Sequence, residues 1–260
     1  MDATTTNSAG SITRDAYLSR MGIDVGLFAA AARAVGPDAK VPTCPEWTMR
    51  ELLLHQGEVH RWAGAVVRNR VTKLSDQADD YLGPLPDDDQ LVAWFESGAA
   101  DLIATLRAAP ADVQCATFLA DPPPPVLFWS RRQTHETAMH RVDAESATGT
   151  ITPFVPEFAA DGIDEMLTGF VPRKHTPLHA DPPVTLAVRL ADAHGAWHLT
   201  ISDAPPATVR EGRPADCIVS GTASDVYLAL WNRQGVESLD IEGDPAVLEL
   251  FRENVRVRWS

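Results

Sequence analysis

Cysteine is scarce in this chain. Three occur in 260 residues, at positions 44, 115 and 217, with no CxxC and no close pair. That count gives no disulfide framework and no cysteine-rich metal knuckle, and it suits a reducing cytoplasm. Long apolar runs are also missing. None approaches the roughly 20 residues that a membrane helix needs. The first residues, MDATTTNSAGS, have neither a basic start nor an apolar stretch. They are expected to be a short flexible tail and not a signal peptide. Basic residues are in deficit: Lys and Arg total 22 against 36 Asp and Glu, for a formal net charge of −14. Such a field repels phosphate, which argues against nucleic acid and anionic membrane as main partners. No internal repeat and no phosphate-cradling glycine loop is present.

Hydrophobic residues make up 45% of the chain, enough to bury a core in one large or two modest domains. The first half has helical texture. Over 12–36, Leu18, Met21, Val25, Phe28 and Ala32 recur at three- and four-residue steps, and Gly36-Pro37 ends the pattern. A second helix is expected from Thr48, where Glu51 three residues on completes a capping-box signature, to about 70. An acidic connection with Asp76, Asp79, Asp80 and Asp87 to Asp89 leads to a third helix over 88–108. The rigid stretch DPPPP at 121–125 precedes a fourth over 127–147. Four helices with long middle connections imply a bundle.

Prolines are scattered from 149 to 183, around an apolar helical segment near 157–170, and the spacing then changes to period two. Val184, Leu186, Val188 and Leu190 alternate, then Trp197, Leu199 and Ile201, with Asp192 to Gly195 between them: a hairpin. A strand is expected at 216–220, a helix capped by Thr222, a short strand at Leu239 and Ile241, and a last helix opened by Asp244-Pro245. The expected fold class is α+β. A helical bundle over 10–150 precedes a small α+β domain over 151–260 that includes the junction segment.

Two helices carry the candidate chemistry. Stepping about 100° per residue along the second, Leu52, Val59, Trp62, Ala63 and Val66 fall on one side. His55 lies within that stripe and is expected to point into the bundle, with His60 toward its flank. Alone, an inward histidine is an ordinary core residue bonded to a neighbour. On the fourth helix, FWSRRQTHETAMHRVDAE, Glu136 and His140 are four apart and share a face with Trp129, Gln133, Asp143 and Ala147. His135 points elsewhere. A lone ExxxH is ordinarily a surface ion pair. With an inward His55 it becomes a His, Glu, His set, and bundle interiors are where facing helices assemble metal sites. Two imidazoles and a carboxylate suit Zn²⁺ and leave a coordination position open.

The blocks VPTCPEWTMRELLLHQGEVHRW at 41–62 and HETAMHRVDAE at 135–145 resemble the mycothiol-dependent maleylpyruvate isomerase family. VSGTASDVYLALWNRQGVESLDIEGDP at 219–245 resembles that family's second domain. The resemblance covers most of 10–255. It implies a DinB-like four-helix bundle followed by a domain related to sterol carrier protein 2. It also implies a divalent metal, zinc, on His55, Glu136 and His140, and a catalytic arginine in the second domain. Arg233 in LALWNR is the position that matches. Asp143 is similar to the family's HRVDAE aspartate. It either orients a ligand or pairs with an exposed Arg141 or Arg132. Cys44 reads as packing where the second helix begins, and Trp47 as a hydrophobic staple.

The implied cofactor is mycothiol, the low-molecular-weight thiol of actinobacteria, and the implied partner a small electrophilic substrate. The metal would hold the sulfur as thiolate. Addition to a conjugated double bond followed by elimination gives an isomerase, and a retained adduct gives an S-transferase. Arg233 would hold a substrate carboxylate or a developing enolate. Two other readings stay open: a small-molecule carrier or sensor with a structural metal, and a metal-dependent hydrolase. At this level Glu136→Gln is expected to act on the metal with little change of shape.

Overall fold

A computed structural model describes residues 12–77, 79–173 and 176–256. The expected flexible tail lies outside the described residues. The chain divides into two compact units. One contains 12–118 and 122–152. The other contains 119–121 and the chain from 153 onward.

The first unit is helical. Helix α1 (Arg14–Val35) starts on Thr13, whose side chain accepts from Ala16 N, and ends at Gly36 with φ +80°. Helix α2 (Met49–Arg68) opens with the expected capping box, closed in both directions between Thr48 and Glu51. Helix α3 (Leu91–Ala108) follows a single 3₁₀ turn, Asp88–Gln90, so the α-helix begins three residues later than its acidic run suggests. Helix α4 (Pro125–Ser146) begins on a proline, which the first turn tolerates because its missing N–H has no helical acceptor there.

Phe28 of α1 meets Phe95 of α3 with ring centroids 4.5 Å apart. Around that pair Ala32, Met49, Leu52 and Leu53 are buried. Arg61 lies over the Trp94 ring at 3.7 Å. A Cβ at Gly57 would collide with that ring, so this close crossing of α2 and α3 requires glycine.

Helix α4 is the interior helix. Apart from Leu127 and Arg131, every residue from Val126 to Glu145 is buried. Its sequence is nevertheless polar, and the charges pair along the helix: Arg132 with Glu136 at 2.8 Å and Arg141 with Glu145 at 2.7 Å. Arg141 Nε also donates to Asp24 of α1 at 3.2 Å, and Asp24 is held by Arg20 one turn away at 2.7 Å.

The second unit carries a five-stranded sheet in the order β3-β2-β1-β4-β5. Strands β1 (Val184–Leu190) and β2 (Ala196–Ile201) form the expected hairpin, in antiparallel register with Val184 opposite Ile201. Strand β4 (Cys217–Gly221) pairs parallel to β1, and β5 (Asp240–Gly243) closes the other edge antiparallel. The edge strand β3 (Ala207–Val209) was not legible in the sequence, since three residues show no period.

Helix α5 (Pro156–Asp164) runs into a π-helical turn, Glu165–Phe170. Asp164 ties this helix to the sheet. It accepts from Trp197 Nε1 at 3.0 Å and from Arg210. Helices α6 (Ala223–Leu230), capped by Thr222 as expected, and α7 (Pro245–Asn254), capped by Asp244, complete the unit. The observed class is α+β, as the sequence implies: a helical N-terminal region and a small mixed sheet.

Candidate metal centre

His55, Glu136 and His140 come together within the first unit. One ligand atom of each lies within 4.8 Å of the others. Ligands about 2.1 Å from a tetrahedral zinc stand about 3.4 Å apart. His140 Nε2 and Glu136 Oε1 already lie at that separation, 3.4 Å. The two imidazole rings meet edge to face with centroids 5.0 Å apart. His55 is half-buried, whereas Glu136 and His140 are buried.

Two atoms of this cluster are buried without a hydrogen-bond partner, His55 Nε2 and Glu136 Oε1. Buried polar atoms are normally bonded, and each orphan costs free energy. One divalent ion would satisfy both. The set is two imidazole nitrogens and one carboxylate oxygen, so its donor chemistry fits zinc or a similar divalent metal.

The surroundings prepare each group for that role. Burial pushes the Glu136 carboxyl up, but Arg132 and then His140 outweigh it, and the net shift is down. Arg132 Nη2 donates to Oε2, so Oε1 is the oxygen left toward the histidines. His140 is pushed down by burial, yet its hydrogen bond to Asp143 and the neighbouring negative charges of Glu136 and Asp143 raise it to about 8. Asp143 Oδ2 accepts from Nδ1 at 2.9 Å, which orients Nε2 toward Glu136. Burial and the neighbouring His140 lower His55 to about 4, so it is neutral at pH 7 and free to act as a ligand.

Several expectations need correction. His60 does not reach the flank. It is fully buried, stacked on Phe95 at 5.6 Å, and its Nε2 lies 2.8 Å from Gln56 Nε2 and 2.9 Å from Thr137 Oγ1. The reason is that α2 faces both α3 and α4, so its buried arc is wider than the stripe drawn through Leu52 and Val59. Arg132 and Arg141 are not exposed; both are fully buried, and Asp143 bonds the His140 ring. Trp47 does pack against the core that contains Leu52. Its ring also lies 4.8 Å from His55 and 6.1 Å from His140, so it borders the site and is not a staple alone. Cys44 packs against the same core, as expected. Arg233 belongs to the second unit, just after α6, where its Nη1 donates to Trp231 O at 3.0 Å.

Comparison with known proteins gives this geometry a lineage. The mycothiol maleylpyruvate isomerase N-terminal domain matches residues 20–145, and the MDMPI C-terminal domain matches 157–250. The chain belongs to the mycothiol maleylpyruvate isomerase family. Two solved structures of the mycothiol-dependent maleylpyruvate isomerase are similar over most of the chain. One is the enzyme itself, with 14% identity and a TM-score of 0.61. The other is a histidine-to-alanine mutant, with 13% identity and a TM-score of 0.62. Each comparison covers 91% of this chain and 96% of the other. At such identity the likeness speaks to the fold. No curated protein sequence matches.

Sequence reasoning missed Arg132 and Thr43 as neighbours of this cluster, the one bonded to Glu136 and the other to Asp143. The Arg132–Glu136 pair carried a readable signal, opposite charges four apart on one helix. Thr43 carried none, because its partner Asp143 is a hundred residues away.

Proposed function

We propose that the protein is a metal-dependent, mycothiol-using enzyme that isomerises a small electrophilic substrate of the maleylpyruvate type or conjugates it to the thiol. Family membership supports the thiol and the reaction class. One observation carries the metal: His55, Glu136 and His140 each offer a ligand atom within 4.8 Å of the other two, and in the same cluster His55 Nε2 and Glu136 Oε1 are buried without a hydrogen-bond partner. His55, Glu136 and His140 would hold the ion, and zinc is the metal their chemistry suits best. When bound, such an ion lowers the pKa of a coordinated thiol, so that the sulfur is nucleophilic near neutral pH.

The chain's own residues set the conditions. Arg132 keeps Glu136 ionised and turns Oε1 toward the two histidines. Asp143 holds the proton of His140 on Nδ1, leaving the Nε2 lone pair for the metal. Trp47 shields both imidazoles with an apolar face, which excludes water from that side. Arg233 would hold a substrate carboxylate by charge and paired N–H donors. Support for that role comes from the family resemblance. Three cysteines, none of them in a disulfide, fit work in the cytoplasm.

The test is elemental analysis together with an assay on one preparation. About one divalent metal per chain is expected, with turnover of maleylpyruvate or conjugation of an electrophile only when mycothiol is present. Chelation should abolish that turnover. Mycothiol-independent activity that survives metal removal would overturn the proposal.

A further inference from the structure

The segment between α1 and α2 reaches the candidate centre by a route the functional reading does not use. Asp143 has two carboxylate oxygens. Oδ2 accepts the His140 Nδ1 proton at 2.9 Å. Oδ1 accepts the Thr43 hydroxyl at 2.6 Å. The direction of this second bond is fixed, because an ionised carboxylate can only accept. Ser146 Oγ lies 3.2 Å from the same hydroxyl, but it donates its own proton to the Asp143 carbonyl at 2.6 Å. Thr43 is therefore a donor to this carboxylate, on the oxygen that its histidine bond does not use.

The hydroxyl is delivered by a stiff piece of chain. Cys44 N bonds Val41 O at 3.0 Å, Trp47 N bonds Cys44 O at 2.8 Å, and Val41 N bonds Trp47 O at 3.2 Å. Pro42 and Pro45 fix two more backbone angles. Lys40 and Thr48 bridge the two ends, and Thr48 is locked to Glu51 by the capping box. A side chain on such a loop loses little freedom when it bonds. The same loop carries Trp47, whose ring lies 27° from the plane of His140. The loop thus meets this imidazole twice, once by stacking and once through a chain of hydrogen bonds.

We propose that Thr43 is a positioning residue of the metal centre: its hydroxyl locks the Asp143 carboxylate, and through it the tautomer and ring plane of His140, so that Nε2 faces Glu136 and His55. The inference rests on the metal reading above. A threonine that merely anchors its loop would need no ionised partner bonded to a ligand. Nor would its loss reach the metal only through Asp143.

Zinc affinity, measured by competition with a chromophoric chelator, tests it without recourse to turnover. Outer partners of metal ligands are worth about 10–100-fold in affinity. Asp143→Asn should fall in that range. Thr43→Val removes the donor at nearly constant shape and should weaken zinc binding about tenfold, while Thr43→Ser should stay within about twofold of the parent. In the Asp143→Asn background, Thr43→Val should have no further effect. Thermal melts check folding, and Thr43→Ala runs the same cycle if the valine variant is unfolded. His140→Ala belongs in the same titration. If it binds zinc like the parent, the metal reading itself fails. If His140→Ala loses zinc and Thr43→Val keeps parental affinity, Thr43 alone is misassigned. An equal loss with and without Asp143 would also overturn the inference, since the effect would then bypass the carboxylate.

Discussion

Glu136→Gln is the sharpest perturbation available, because the structure changes what it should do. From sequence it is a near-isosteric swap that removes one ligand charge. In the fold, Arg132 Nη2 donates to Glu136 Oε2 at 2.8 Å, and both side chains are essentially fully buried. Glutamine keeps the shape and can still accept one hydrogen bond, but it leaves the guanidinium without that counter-charge. Breaking a buried ion pair by neutralising one partner costs about 3–5 kcal/mol. For a protein of this size, 1 kcal/mol shifts the melting temperature by about 2–4 °C, so the variant should melt about 10 °C lower. The assay is a thermal melt with excess chelator, which removes any contribution from metal. A second variant, Arg132→Met with Glu136→Gln, removes both charges and should recover at least half of the lost stability. It should still fail to bind zinc. A metal-free Glu136→Gln protein that melts within about 1 °C of the parent would refute this reasoning, because the pair would then contribute nothing measurable.

The pH dependence follows from the three histidines. His140 is raised to about 8, so its contribution is fully present below about 6.5 and is lost as pH rises through 8. That loss is about 2 kcal/mol, and it should appear in metal-free melts. His55 and His60 are lowered by burial to about 4 and about 3. Each should cost about 1.4 kcal/mol per unit as pH falls below about 6.5, down to those values. Zinc affinity should show the opposite trend on the alkaline side. It should rise about tenfold per unit up to pH 8 as the His140 proton is displaced, and flat affinity from pH 6 to 8 would contradict the assignment. Arg233→Ala should leave zinc content and melting temperature near parental and lower turnover of carboxylate substrates by about 10²-fold. Parental turnover would remove Arg233 from the reaction.

Local spacing and capping made most of this fold legible. The capping box at Thr48 and the period-two run after 183 each mark a real element, because local periodicity and local capping are short-range properties. The convergence of the three candidate ligands was also readable, since Glu136 and His140 share a face by spacing and His55 falls in the inward stripe of α2. What escaped was either long-range or hidden by average polarity. The parallel pairing of β1 with β4 joins residues about thirty apart and leaves no local trace. Helix α4 looked half exposed because Arg132, Arg141 and Glu145 are ordinarily surface residues, and only their mutual pairing allows burial. His60 was misplaced because one stripe cannot describe a helix that touches two neighbours.

The way those charges pair bears on how the bundle assembles. Arg132, Glu136, His140 and Asp143 are linked by steps of three or four residues on α4, as are Arg141 and Glu145; on α1, Arg20 answers Asp24 in the same way. Such contacts exist as soon as the segment winds into a helix, before any other helix docks. Desolvation during collapse then acts on matched partners and never on a bare ion, which lowers the electrostatic barrier to closing the core. The one ionic tie described here between the two helices, Arg141 to Asp24, can form last, as a check on correct docking. A polar central helix of this kind folds as a locally neutral rod, and its burial sets few demands on the order in which its neighbours arrive.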